Sequence, residues 1–410
     1  MSPFQSSARI RLAGRFLPTA ATLALLALAC GGPTVDGQAG ATRRDSAGVA
    51  IYQVAALGPR VTARETVRLG TVDGPPESTF FRLRDARLGP GGVMVVLDGG
   101  DDMVKLFDST GRALRTLGGT GEGPAEFSSA WLLELRGDTV RVLDIDQSKV
   151  VTFSLGGEVL ATRRIGFSVA QHGFPSAFAS GPQGRLLIAG VQGCGIPRRP
   201  TDNQWGLFVF GPDGLVEDTV QIGFVQNALP VYVSSGRRTA CTVIPWPFAP
   251  GPALGFDPMG GGVWSSGDAF EIRWLDESLA RASAIVRYPV ERPVVTSVQR
   301  RAFQDMLDAR EYISEQFRRT VKASADSAGY PDVWPAVDAV LVAAPGTVWA
   351  RRVAPPGAAE QEWDVLTDGR HVKTVVLPAA LRVTDIKENR VLGTITDELD
   401  VDYVALFTVR

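Results

Sequence analysis

Chemistry needs titratable or metal-ligating groups brought to one point, and this 410-residue chain is sparing with them. It holds two histidines, His172 and His371, and three cysteines, Cys30, Cys194 and Cys241. Zinc bound by several imidazoles is excluded by that count. No Gly-x-Ser-x-Gly elbow occurs, and two histidines leave few ways to build a nucleophile with its base. The glycine runs at 89–92 and 260–262 lead into strand-like runs, whereas a phosphate loop must open a helix. Carboxylates remain. Asp85, Asp98, Asp144, Asp257, Asp338 and Asp385 lie in or beside apolar runs and could supply oxygen ligands to calcium. Aspartates at strand ends more often cap turns. His172 is expected in a loop before Phe174, and His371 exposed in the Gly369-Arg370-His371 turn.

Those aspartates are placed by a repeat. Residues 93–127 hold three short apolar runs (93–97, 104–107, 113–117) separated by Asp/Gly-rich turns, the pattern of an antiparallel meander. Phe80 to Phe127 is 47 residues, Val93 to Val140 is 47, and Gly70 to Gly118 is 48, so three landmarks agree on one period. Phe174 lies 47 beyond Phe127. Further copies follow to the C-terminus, and the last one lacks its fourth strand. A period of about 45 residues with four strands each marks a β-propeller blade. The fold class read from this is all-β, a six-bladed propeller of four-stranded antiparallel blades. The orphan strand at 66–70 closes it by pairing with 403–409, since an open edge would invite aggregation.

Two regions exceed the repeat. Residues 192–206 and 225–250 are rich in Pro, Gly and aromatics, including Trp205, Tyr232 and Trp246. Residues 294–328 open on a capping-box pattern at Thr296 and carry Phe303, Met306, Leu307, Arg310, Ile313, Phe317 and Val321 at helical spacing. One inserted helix of about seven turns is expected, either covering a blade or docking a partner. Cys194 and Cys241 lie in the first region. In an oxidising compartment they would pair as a disulfide; two buried thiols are the alternative.

The first 29 residues combine Arg9, Arg11 and Arg15 with an apolar run at 17–29, which is too short to span a bilayer and has the layout of a secretory signal. Leu26-Ala27-Leu28-Ala29-Cys30 resembles the lipobox of bacterial lipoproteins, which implies cleavage before Cys30 and lipid on its thiol. The alternative is a plain signal with a coincidental cysteine. Residues 30–47 then read as a flexible tether and 48–410 as the propeller. Removal of residues 1–29 takes the formal charge from −2 to −5, a poor balance for binding nucleic acid. Only five of the 42 basic residues are lysine, so Arg198-Arg199 is not taken as a phosphate clamp.

Gly121-Glu122-Gly123-Pro124-Ala125-Glu126-Phe127 resembles the linker of NHL-type propeller repeats, with Ala125 where glycine is usual. The order of lipobox, Asp45-Ser46-Ala47-Gly48-Val49, six repeats, Ile244-Pro245-Trp246-Pro247-Phe248-Ala249-Pro250, helix and Asp397-Glu398-Leu399-Asp400 resembles a group of bacterial six-bladed propeller lipoproteins. The resemblance implies fold and an extracytoplasmic, lipid-anchored location. Some NHL-like propellers are lactonases or lyases with a divalent metal in the central channel, so a calcium-dependent hydrolase or lyase is the alternative function. The reading adopted is a monomeric binding scaffold without cofactor, held to the membrane by its lipid alone. It would recognise a protein, peptide or glycan through Arg198, Arg199, Trp205, Tyr232, Trp246, Arg351 and Arg352.

Overall fold

Apolar runs alternating with Asp/Gly turns yield six mainly antiparallel blade sheets, beside one separate hairpin, in the computed structural model, which describes residues 34–35, 41–191, 204–224, 228–235, 238–246, 248–257, 260–309 and 314–410. The innermost strands of blades one to six are Leu83–Leu88, Ala130–Arg136, Phe174–Ser180, Ala253–Phe256, Val337–Ala344 and Arg382–Lys387. Each lies against the next, and the sixth lies against the first, which closes the ring. One apolar cluster fills each of the six seams between blades. The aromatic pairs show the repeat directly. Phe80 meets Phe107 edge-on at 6.1 Å, and Phe127 meets Phe153 in the same way at 6.2 Å.

Closure is as the sequence indicates. Arg64–Leu69 forms the outer strand of blade six and pairs antiparallel with Asp402–Thr408, Leu69 opposite Val404 and Arg64 opposite Thr408. The residues before it are also bound. Ala41–Ser46, within the expected tether, pairs with Val49–Val54, which runs parallel to Ala282–Arg287 on the rim of blade four. Arg60–Thr62 adds a parallel fifth strand to blade five. The N-terminal segment is therefore a belt along the outer rims of blades four, five and six.

At blade three the repeat slips. Phe174 does not enter the core with Phe80 and Phe127; it opens the innermost strand and is 59% exposed. The aromatic place is taken by His172, at the end of a short helix α1 (Val169–His172) rather than in a loop. Its ring stacks on Phe167 and meets Phe208 edge-on at 4.7 Å. Burial holds the His172 imidazole below its ordinary pKa. The unfolded chain therefore binds the proton more readily, and stability should fall as pH drops below about 6.5. His172→Phe should keep the melting temperature at neutral pH and flatten that acid-side loss in melts taken between pH 5 and 8.

The helical insertion is two helices, not one. Helix α2 (Ser297–Asp308) starts on the Thr296 capping box, and helix α3 (Glu315–Ala328) starts afresh on Ser314, whose hydroxyl accepts from the Phe317 amide. A second N-cap inside a helical period lets the chain restart, and periodicity alone does not show that. Both helices pack with Val231 of the hairpin Ala228–Ser235/Arg238–Pro245, and with Trp246, Phe248 and Trp334, in a core of their own. Trp246 meets the Phe303 ring at 5.4 Å and Tyr330 at 4.9 Å. Among the described residues no helix is long and apolar enough to cross a membrane.

Candidate functional site: the loop-bearing face and the channel mouth

Strand direction decides where insertions emerge. In an antiparallel four-stranded blade, the second-to-third and fourth-to-first connections leave from one face and the rest from the other. The connection between Leu186–Val191 and Gln204–Phe210 is of the first kind. So is the hairpin-bearing stretch between Val216–Phe224 and Ala253–Phe256, and so are helices α2 and α3 between Ala282–Arg287 and Val337–Ala344. All long connections therefore share one face, while the opposite face carries short turns such as Gly137-Asp138.

On the loop-bearing side two adjoining clefts, about 500 and 280 Å³, flank the 353–359 connection of blade five. The larger runs between Pro293 and Pro335, at the roots of the helical insertion, and Arg60, Arg352, Glu360 and Glu362. Its charged end rests on a buried network. Asp364, fully buried, accepts from Arg352 Nη2 at 2.7 Å and Nε at 2.8 Å, His371 Nε2 at 2.8 Å and Thr374 at 3.0 Å. His371 Nδ1 accepts the Gly58 amide of the belt at 2.9 Å, which places the ring proton on Nε2. Burial pushes the Asp364 carboxyl up, but the His371 and Arg352 hydrogen bonds and charges outweigh it and leave it below the ordinary value. The Tyr288 hydroxyl is buried without a hydrogen-bond partner at normal geometry. Burial, then the Asp364 charge, raise its pKa well above the ordinary value. Arg60 of the belt reaches Glu360 at 2.7 Å and Glu362 at 3.0 Å, so the belt supplies part of the cleft wall.

The channel mouth has a different construction. Five of the six innermost strands carry a one-residue bulge near their start, and the extra residues are Arg84, Trp131, Ser176, Asp338 and Thr384. A bulge re-aims one side chain and frees a ladder carbonyl. Ser176 and Thr384 donate their hydroxyls to the carbonyls of Ala189 and Leu392 across the bulge. Asp338 binds Arg351 Nε at 2.6 Å. Arg84 instead lies over the Trp131 ring at 4.0 Å, and Trp131 packs on Phe174 at 5.7 Å.

The sequence-predicted residues distribute unevenly over this face. Arg351 and Arg352 line the clefts. Trp246 is 3% exposed and belongs to the helical cap's core; a Trp that meets three aromatic rings is a packing residue, so it is not free to serve as a recognition side chain. Trp205 and Tyr232 sit in described strands, paired with Val191 and Cys241, but their side chains lie outside the described residues. Cys30, Cys194, Arg198 and Arg199 lie wholly outside them, and the Cys241 side chain does too. His371 is buried, not exposed, because its strand faces the belt.

The six aspartates do not converge. Asp98 binds Lys105 at 2.9 Å and accepts the Arg82 amide at 3.1 Å; Asp144 accepts the Ser128 amide at 2.8 Å, the same service one blade on. Asp85 binds Arg87 at 2.7 Å, and Asp385 accepts the Leu88 amide at 2.7 Å across the seam between blades six and one. Asp257 lies at the opposite end of its blade, in the turn after Ala253–Phe256. Among the described residues no three His, Cys, Asp or Glu side chains form a group able to hold a metal ion.

A family model described as a six-bladed β-propeller, DUF5128, matches residues 91–192, from the second strand of blade one to that of blade three. No curated protein matches the chain. Among solved structures it is similar to a protein described as exported from Bacteroides fragilis, at 10% identity, over 86% of this chain and 99% of that one, with a TM-score of 0.45. It is also similar to a DUF4221-family member from Bacteroides vulgatus, at 9% identity, 85% and 97% coverage and a TM-score of 0.49. A streptogramin B lyase matches at 10% identity, 84% and 97% coverage and a TM-score of 0.42. None of these likenesses bears on what this chain binds.

Proposed function

We propose that this chain is an extracytoplasmic binding protein, tethered by lipid on Cys30, whose loop-bearing face recognises a protein, peptide or glycan. One observation carries the reading: every long connection leaves the described strands at one face of a closed ring, and both clefts open on that face. Rigid scaffolds commonly concentrate binding in the irregular segments they display. The carboxylates that a channel calcium would need are committed to Lys105, Arg87, Arg351 and backbone amides instead.

A photo-crosslinking residue at Phe81, 66% exposed on the loop-bearing face, should give adducts in the cell that produces the protein. The same residue at Asp138, in a short turn of the other face, should not. Equal adducts from both positions, or none from Phe81, would dispose of the reading. The tether is tested separately. Cys30→Ser should move the protein from the detergent phase to the aqueous phase on partitioning, and unchanged partitioning would remove the anchor from the proposal.

A further inference from the structure

The bulged residues at the channel mouth differ in one respect. Ser176 and Thr384 spend their hydrogen bonds on freed carbonyls, and Asp338 spends its charge on Arg351. Trp131 is fixed by its Nε1 donating to the Pro175 carbonyl at 2.9 Å. Arg84 donates no hydrogen bond to any described residue, and its Nε is buried without a partner. A guanidinium carries five donors and a full charge, so leaving it unpaired in a half-buried place is costly unless something else satisfies it.

The surroundings narrow what could satisfy it. Arg84 lies among like charges: Arg82 on the preceding residue pair and Arg382 of blade six, whose own donors go to the Arg84 carbonyl at 2.6 Å and to Thr394 at 3.1 Å. Burial first, then Arg82 and Arg382, hold the Arg84 pKa down, and Asp102 is the acid that opposes them. Asp102 is itself engaged with the Ala130 amide at 2.9 Å. Arg84 therefore faces two arginines and one acid that is already engaged. Beside it stand two large aromatic faces, Phe174 at 59% and Phe81 at 66% exposed. The platform is stiff, because Asp98 holds the Phe81 and Arg82 amides and Trp131 is pinned to blade three.

We propose that the Arg84–Trp131–Phe174 ladder at the channel mouth is a binding site for a carboxylate carried on a ring, either a uronate sugar or an aromatic acid. The planar guanidinium fork matches a carboxylate in two parallel hydrogen bonds. Phe174 offers its ring to the flat apolar side of the ligand, and the Trp131 face beneath Arg84 keeps the guanidinium oriented. Among the described residues at this mouth, Arg84 is the one half-buried guanidinium without a partner, since Arg82 is exposed to solvent and Arg382 is engaged with carbonyl and hydroxyl oxygens, and one such fork suits a single carboxylate. Bulge placement supplies the directing device: an inserted residue at the same point of neighbouring strands turns Arg84 and Trp131 toward each other across the seam between blades one and two. This rests on the loop-bearing face being the binding face and names the chemistry recognised there.

Isothermal titration of the full chain with trigalacturonate and with benzoate tests it, using neutral galactotriose and benzyl alcohol as uncharged counterparts. One charged probe should bind measurably while its counterpart does not, and which one binds identifies the source of the ring. Arg84→Gln should weaken that binding at least tenfold, and Phe174→Ala, a change on an exposed ring, at least fivefold. Raising salt should weaken it further in the parent but little in Arg84→Gln. Melting curves of both variants within a few degrees of the parent would show that the ring is intact. Binding of neither charged probe, or an Arg84→Gln variant that binds like the parent, overturns the site. If Phe81 adducts persist while both probes fail, the face stands and the ligand class falls.

Discussion

Deleting residues 41–69 should leave no stable monomeric propeller, whereas deleting 41–62 should leave a folded but weakened one. The longer deletion removes the fourth strand of blade six. Val404, Leu406 and the backbone of Asp402–Thr408 then form an open edge, and the cluster at the seam between blades six and one loses Leu69 and Val67. Burying one such side chain is worth about 1.5–3 kcal/mol, and a whole domain is stable by only about 5–15 kcal/mol. Loss of a complete strand with its ladder therefore competes with the entire stability. An unpaired edge also recruits other chains, so aggregates are expected on size-exclusion chromatography. The shorter deletion spares Arg64–Leu69 and removes the rim strands with the buried Val54, the Gly58 amide on His371 and the Arg60 ion pairs. Its melting temperature should fall while the chain stays monomeric. If the 41–69 deletion melts like the full chain, the strand at 64–69 does not close the ring.

The ring was legible because its signal is repeated and local. Runs of β-branched residues between Asp/Gly turns recur at a 47-residue spacing, and the incomplete last copy points to the orphan strand. The belt was less legible. Ala41–Ser46 reads ATRRDS, with no apolar period, because a strand added to the rim has little core to face. Two helices looked like one because Phe303, Leu307 and Val321 keep a common phase across the interruption at Ala309 and Ser314. The channel mouth was invisible for a different reason. A bulge is a property of pairing between two strands, so nothing in the run around Arg84 or Trp131 announces which side chain it re-aims. Phe174 misled through the repeat itself, since a two-residue slip sends it outward and seats His172 in the core. The Asp364 network did leave a trace. An acid amid Trp363, Val365 and Leu366 in a buried strand needs cations nearby, and Arg352 and His371 are the paired-strand residues that answer it.

Asp364→Ala should cost about 3–5 kcal/mol, the range for breaking a buried ion pair from one side. The substitution strands three groups at once: Arg352, left with Glu362 at 2.6 Å as its acid, the His371 Nε2 proton, and the Thr374 hydroxyl. Thr374 and His371 cannot reach water freely, since both are buried, and Arg352 is largely covered apart from its cleft edge. The charge also has a pH signature. The folded-state pKa of Asp364 lies below its unfolded value, so its contribution is fully present above the unfolded value of about 3.9 and is lost as pH falls through the folded one. Asp364→Asn, which preserves shape but cannot ionise, should be destabilised at neutral pH and should lose less than the parent on further acidification. The damage should also propagate outward by one defined route. Gly58 hydrogen-bonds to His371 Nδ1, and a Cβ at Gly58 would stand 2.0 Å from the Val372 carbonyl, so belt and blade are tightly fitted there. Hydrogen exchange in the Asp364→Ala protein should accelerate at 58–62 on the rim of blade five but much less at 64–69 in blade six. Equal acceleration in both segments would mean general loosening, and an unchanged acid slope in Asp364→Asn would mean that this carboxylate does not carry the linkage.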